Sequence, residues 1–220
     1  MSRKPRFLSI LGALVAALPL AQAVAGPPLI CHPFIADGEA LLPWIERSND
    51  WRSPDPAYDV DRLAGDTLRL LSPDAPVLAR MENLRRATIY ASSDPHAAGE
   101  LLEGVLDRTE KSPLDAASQA LAWFDAGYLI ESYRQHSPID GVDMLAASRF
   151  AHARPLPVEL ETLDGYALVQ KAMTLAPESR AEMGFAASLM TREPVAGRHR
   201  ERAAADAPQG SLLAANLARR

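Results

Sequence analysis

The sequence predicts an all-α fold: antiparallel helix hairpins, arranged as a short solenoid-like array or a bundle, with an extended N-terminal strap. Three observations carry this. No run of alternating β-branched residues occurs in the 220 residues, so nothing marks a half-buried strand. From Asp59 onward, apolar residues recur at helical spacing. A capping residue followed by proline, the mark of a helix start, stands at Asp94-Pro95, Ser112-Pro113 and Ser137-Pro138.

The first segment, residues 1–25, reads as a secretory signal. Arg3, Lys4 and Arg6 precede an apolar run from Phe7 to Leu18, which is too short to span a bilayer comfortably. Small residues offer cleavage after Ala25, or after Ala23 as the alternative. This places the protein in the periplasm or outside the cell. No later stretch is long and apolar enough for a transmembrane helix. Removing the leader leaves 195 residues, enough for one domain with a real core. The net charge moves from −5 to −8, with 20 Lys plus Arg against 28 Asp plus Glu. Such acidity argues against nucleic acid as a partner, since that needs a basic footprint.

Residues 26–58 form the strap and a loop. Pro27, Pro28, Pro33 and Pro43 keep the strap extended. Leu29, Ile30, Phe34, Leu41, Leu42 and Trp44 give it an apolar side to lay on a hydrophobic surface. "SNDWRSPDPAY" then reads as a loop with Trp51 as an anchor.

Cys31 is the single cysteine. Without a C-x-x-C-H motif, covalent haem attachment is excluded. Ile30 stands where a lipid-anchor signal needs a small residue. Three readings stay open: a buried small hydrophobe, an intermolecular disulfide, and a metal ligand beside His32. His96, His136 and His152 are the other histidines considered as ligands. His96 and Glu100 lie four residues apart, so both can face one metal, but two potential ligands do not make a site and a solvent-facing helical turn is the favoured account.

The helical domain spans residues 59–192. Asp59 is expected to cap a helix through Leu71, and Asp74 the next, with Val77, Leu78, Met81, Leu84, Ala87, Ile89 and Ala91 on its apolar period. Pro95 to Asp107 follows, then a long helix from Ser112-Pro113 to about Gln135. A shorter helix is expected over Val142 to Phe150. The break "ARPLP" precedes a final pair, Val158 to Leu175 and Glu178 to Thr191. The long helix is apolar around much of its girth, which places it at the centre of the fold. Gly127 in its middle predicts close approach of a neighbouring helix. Glu159, Glu161 and Asp164 read as first-turn acids. Tyr90, Tyr128 and Tyr166, spaced by 38, suggest an internal repeat. From Glu193 the chain turns polar and basic, with Arg198, His199, Arg200 and Arg202. Residues 193–220 therefore read as a mobile basic tail, with a short terminal helix over Ser211 to Arg220.

Within Pro76 to Met190, "ALAWFDAGYLIESYRQ" and "PESRAEMGFAASLM" resemble tetratricopeptide-type helices. The leader followed by "GPPLICHPF" and "WFDAGYL" is similar to a group of small secreted bacterial proteins without an assigned activity. The resemblance implies a protein- or peptide-binding role and no catalytic residues. The templates for catalysis agree, since H-E-x-x-H, G-x-S-x-G, a phosphate loop and C-x-x-C are all missing. The expectation is a non-catalytic interaction module without a cofactor. The alternative is a metal-binding or thiol-dependent protein built on Cys31 and the histidines.

Overall fold

A computed structural model describes residues 31, 33–45, 52–111, 115–140 and 163–219. The elements are a 3-10 turn at Val60–Arg62, then α1 (Leu63–Leu70), α2 (Val77–Ala91), α3 (Pro95–Lys111) and α4 (Ala116–Asp140). There follow α5 (Gly165–Leu175), a 3-10 turn at Pro177–Ser179, α6 (Arg180–Met190), α7 (Val195–Asp206) and α8 (Leu212–Ala218). The fold is all-α. Among the described residues the β pairing is confined to one antiparallel bridge between Trp44 and Pro54, extended by the Ile45 N–H donating to the Ser53 carbonyl at 3.0 Å. The leader, His32, Ser112-Pro113, the helix expected over Val142 to Phe150, "ARPLP", His152, Glu159 and Glu161 lie outside the described residues.

The centre of the molecule is α2. All fifteen of its residues are buried. It packs against α1, α3, α4 and α6, and the strap lies along it. A solenoid repeat touches only its neighbours in sequence. A helix enclosed by elements from both halves of the chain belongs to a bundle. The long α4 is central as well, as expected, and packs more extensively with its neighbours than any other helix. It is buried from several sides, against α2, α3, α5 and α6, with Phe124, Tyr128, Ile130 and Tyr133 wholly enclosed. The three tyrosines of the 38-residue spacing occupy different helical positions. Tyr90 is next to last in α2, Tyr128 is in mid α4, and Tyr166 is second in α5.

Gly127 has the expected role. A Cβ there would stand 2.4 Å from the Gly165 carbonyl oxygen, and a Cβ on Gly165 would stand 2.5 Å from that of Gly127. The two glycines bring the backbones of α4 and α5 into contact that no other residue pair allows. The Glu131 carboxylate then accepts from the Gly165 N–H at 3.1 Å and from Arg134.

Several helix starts match their caps. Asp59 accepts from the Asp61 N–H, Asp94 from His96 and Ala97, and Ser211 from Ala214. Asp115 accepts from the Ser118 N–H at 2.9 Å and so caps α4 itself. Asp164 caps α5, so that helix begins at Gly165, and Leu163 and Asp164 are not helical. Asp74 does not cap α2. Pro76 precedes the helix, and the carboxylate of Glu182 on α6 takes the Val77 N–H. Ser137-Pro138 does not open a helix either, because the α4 backbone continues through it to Asp140.

The segment read as a mobile tail is folded. Its helices α7 and α8 pack on α6 and on each other. The packing stripe of α7 is built from Ala196 and Ala203, seven residues apart and both buried. Alanines at that spacing bury a face without the large apolar residues that usually announce one. Two of the four basic-cluster side chains are tied locally, Arg200 to Glu193 and the His199 Nε2 to the Tyr166 hydroxyl at 2.8 Å. The terminal helix expected from Ser211 is present as α8.

Candidate functional site

The strap is held by its main chain. On α2, the Glu82 carboxylate accepts from the Phe34 N–H at 3.0 Å. The Asn83 amide accepts from the Leu42 N–H at 2.9 Å and donates to the Ala40 carbonyl at 3.1 Å. Arg86 donates to the Leu42 carbonyl at 2.6 Å. The Tyr90 hydroxyl donates to the Pro43 carbonyl at 2.7 Å and accepts from the Asp55 N–H at 2.8 Å. From the far end of the chain, Asn216 on α8 takes both polar groups of Ile35, accepting from its N–H and donating to its carbonyl, each at 2.9 Å. That is the pairing a neighbouring β-strand would offer, supplied here by a side chain.

Side chains of the strap add apolar anchors. Phe34 is 5% exposed and meets Phe185 of α6 edge-to-face, ring centroids 6.2 Å apart. Leu42 is 1% exposed. Trp44 lies edge-to-face with Tyr90 at 5.9 Å, while the Arg85 and Arg86 guanidinium groups stand 4.8 and 5.4 Å from its ring centroid. The strap is therefore packed on the core over the described residues 33–45, as expected, but it is not extended throughout: the Glu39 N–H closes a turn on the Ala36 carbonyl at 3.1 Å, with Gly38 at φ 85°.

Charge inside this cradle is organised by Glu82. It receives Arg85 at 2.8 Å and Arg86 at 2.7 Å. Burial pushes its pKa up, but the two guanidinium groups outweigh that and hold the carboxyl below the usual glutamate range. Burial also raises the Tyr90 pKa, which keeps its hydroxyl proton available to Pro43. A second buried cluster lies at the other end of α2. Arg80 donates to Asp125 of α4 at 2.6 Å and to the Ala75 and Ser72 carbonyls, and Arg108 of α3 reaches Asp125 at 3.4 Å and the Leu71 carbonyl at 2.7 Å. Burial keeps the Asp125 pKa above the usual range despite both arginines. This cluster fixes the α1–α2 connection against α3 and α4.

The residues singled out for metal chemistry are placed differently. Cys31 is half-buried against the hydrophobic core. His96 and Glu100 form an i,i+4 pair at 3.7 Å on the solvent side of α3, with side chains 66% and 47% exposed. His136 is buried in α4. Among the described residues, no three His, Cys, Asp or Glu side chains are grouped to hold a metal ion. None of the described helices is long and apolar enough to cross a membrane.

The sequence reading missed Glu82, Asn83, Arg86, Tyr90 and Asn216 as a set. The available signal was the conflict within α2, where an apolar period is interleaved with Arg80 on one side and with Glu82, Arg85 and Arg86 grouped on another. No family model, curated protein or solved structure matches the chain.

Proposed function

We propose that the protein is a non-catalytic interaction module of the periplasm or extracellular space that recognises an extended polypeptide segment, with its own strap as the resident occupant. The observation that carries this reading is the way Asn83 and Asn216 each engage both an N–H and a carbonyl of the strap. Paired donor and acceptor contacts to main chain, with pockets for spaced apolar side chains, are the chemistry by which extended peptides are recognised. Glu82, Arg86 and Tyr90 extend those contacts, and Phe34 and Leu42 are the anchors. The leader read from residues 1–25 supports the location.

A direct test weakens the resident strap and leaves the cradle intact. A fluorescent peptide of residues 33–45 is titrated into wild type and into Phe34→Ala, following anisotropy. Saturable binding that is tighter to Phe34→Ala supports the reading, because the wild-type strap competes at high effective concentration. Leu42→Ala serves the same purpose should Phe34→Ala lose its helical circular dichroism. Absence of binding to a folded variant ends the reading.

A further inference from the structure

We infer that Tyr166, Arg198, His199 and Arg202 form a binding site for one phosphate group, carried by a small soluble molecule or by a lipid headgroup. The site uses no residue of the strap or its cradle. Tyr166 is second in α5, and His199 lies in α7. Their side chains join the two helices: the hydroxyl stands 2.8 Å from Nε2, and the rings meet edge-to-face with centroids 5.8 Å apart. Both are half-buried. Gln170, one turn along α5, donates to the Tyr166 oxygen at 3.1 Å and fixes its place. Arg198 and Arg202 are exposed, one residue before and three after His199. Their i,i+4 spacing puts both guanidinium groups on one side of α7, and both act on the His199 ring.

This positive charge is unbalanced. Each arginine of α1 to α4 has a carboxylate partner, and Arg200 has Glu193. Arg198 and Arg202 have none among the described residues. Like charges at i,i+4 destabilise a helix, and a bound dianion removes that penalty. The forked donors of arginine match two oxygens of a phosphate. Asp164 is the described carboxylate that acts on Tyr166, and it is already engaged in capping α5 through the Ala167 N–H. Two arginines and one histidine suit a single phosphate, whereas a nucleic-acid backbone needs a longer footprint.

Hydrogen bonding couples the site to a proton. The Tyr166 oxygen accepts from Gln170, so its one proton goes to the Nε2 of a neutral His199. When His199 is protonated, Nε2 donates to the Tyr166 oxygen instead, and the hydroxyl is released to donate to the oxyanion. The described charged or titratable groups that face this pair are Asp164 on α5 and Arg198 and Arg202 on α7, with none from α6 or α8. Burial first, then Arg202 and Arg198, hold His199 below the usual histidine range. A bound dianion offsets the arginines and raises it. Binding therefore tightens as the pH falls through the raised value, and levels off below the lowered one.

Calorimetric titration of the full chain with sulfate and with inorganic phosphate, over about pH 5–8, tests this. Sulfate keeps its charge across that range, whereas a phosphate takes up a proton near about pH 6. One-to-one saturation is expected, tighter for sulfate at the acid end. Arg198→Gln and Arg202→Gln should each weaken it about tenfold or more with unchanged circular dichroism. His199→Gln should bind with no gain on acidification. Sedimentation with vesicles of phosphatidic acid in phosphatidylcholine, against phosphatidylcholine alone, identifies the source. Vesicle binding lost with the same arginine variants places the phosphate on a lipid, and free-anion saturation without vesicle binding places it on a soluble molecule. No saturation by either free anion, or saturation that both arginine variants leave unchanged, overturns the inference. An acid gain kept by His199→Gln overturns the part given to His199.

Discussion

Asn216, in the last helix, pairs with both main-chain polar groups of Ile35, 181 residues earlier, at 2.9 Å each. This one side chain ties the folded C-terminal segment to the strap. It also donates to the Leu212 carbonyl within α8, which holds the amide in place. Asn216→Ala leaves the Ile35 N–H and carbonyl, both in a partly buried setting, without these partners. The expected loss is about 1–3 kcal/mol. Denaturant melts measure it, and thiol labelling of the nearby Cys31 in the native state should become faster than in wild type.

Glu82 gives the strap a defined pH response. Its pKa is held below the usual range by Arg85 and Arg86. A carboxylate with a depressed folded pKa contributes stability above its unfolded pKa and loses that contribution as the pH falls through the folded value. Asp125 has the opposite sign, since its raised pKa favours the folded state on acidification. Asp125 is present in both wild type and Glu82→Gln, so the difference between them isolates Glu82. That difference should be about 3–5 kcal/mol at neutral pH, as for loss of one partner of a buried ion pair. It should shrink below about pH 4. Urea melts at a series of pH values measure it, and a gap that does not vary with pH would show that Glu82 acts through shape alone.

At the other end of α2, Asp125→Ala leaves Arg80 buried beside two carbonyls and without its close counter-charge. A loss of about 3–5 kcal/mol is expected. The double variant Arg80→Met with Asp125→Leu removes both charges and should be the less destabilised of the two. A double variant worse than Asp125→Ala would mean that the hydrogen bonds from Arg80 to the α1–α2 connection matter more than the ion pair.

Two glycine substitutions separate close packing from helix propensity. Gly127→Ala drives a methyl group onto the Gly165 carbonyl and should cost at least about 1–3 kcal/mol by forced separation of α4 and α5. Gly65→Ala, in α1, meets nothing within 4 Å and should stabilise by up to about 1 kcal/mol. Thermal melting of the two variants should move in opposite directions.

Much of this fold was legible because local signals and packing agree. Asp94-Pro95 caps a helix by geometry within four residues, and Gly127 announced a close contact because a glycine in mid-helix needs a reason. Pro33 and Pro43 lie in non-helical strap as expected, with a turn between them at Ala36–Glu39, and Phe34 and Leu42 are buried as its apolar pattern implied. Two things were not legible. Glu82, Arg85 and Arg86 stand at i,i+3 and i,i+4 spacing, which in sequence looks like an exposed ion-pair pattern. Only partners 40 or more residues away, Phe34, Leu42 and Pro43, show that this face is covered. The C-terminal segment failed for a related reason. Its buried face is alanine, and its anchoring residue Asn216 is polar, so composition read it as tail.

The central claim is that side chains of α2 and α8 hold the main chain of a strap that has no helix or sheet of its own. Native-state hydrogen exchange resolved to single amides tests it most directly. The Phe34, Ile35 and Leu42 N–H groups, which donate to Glu82, Asn216 and Asn83, should exchange far more slowly than an unstructured chain, and each should lose protection when its own partner is changed to alanine. Exchange of all three at unstructured rates in the wild-type protein, with the helices still protected, would contradict the account.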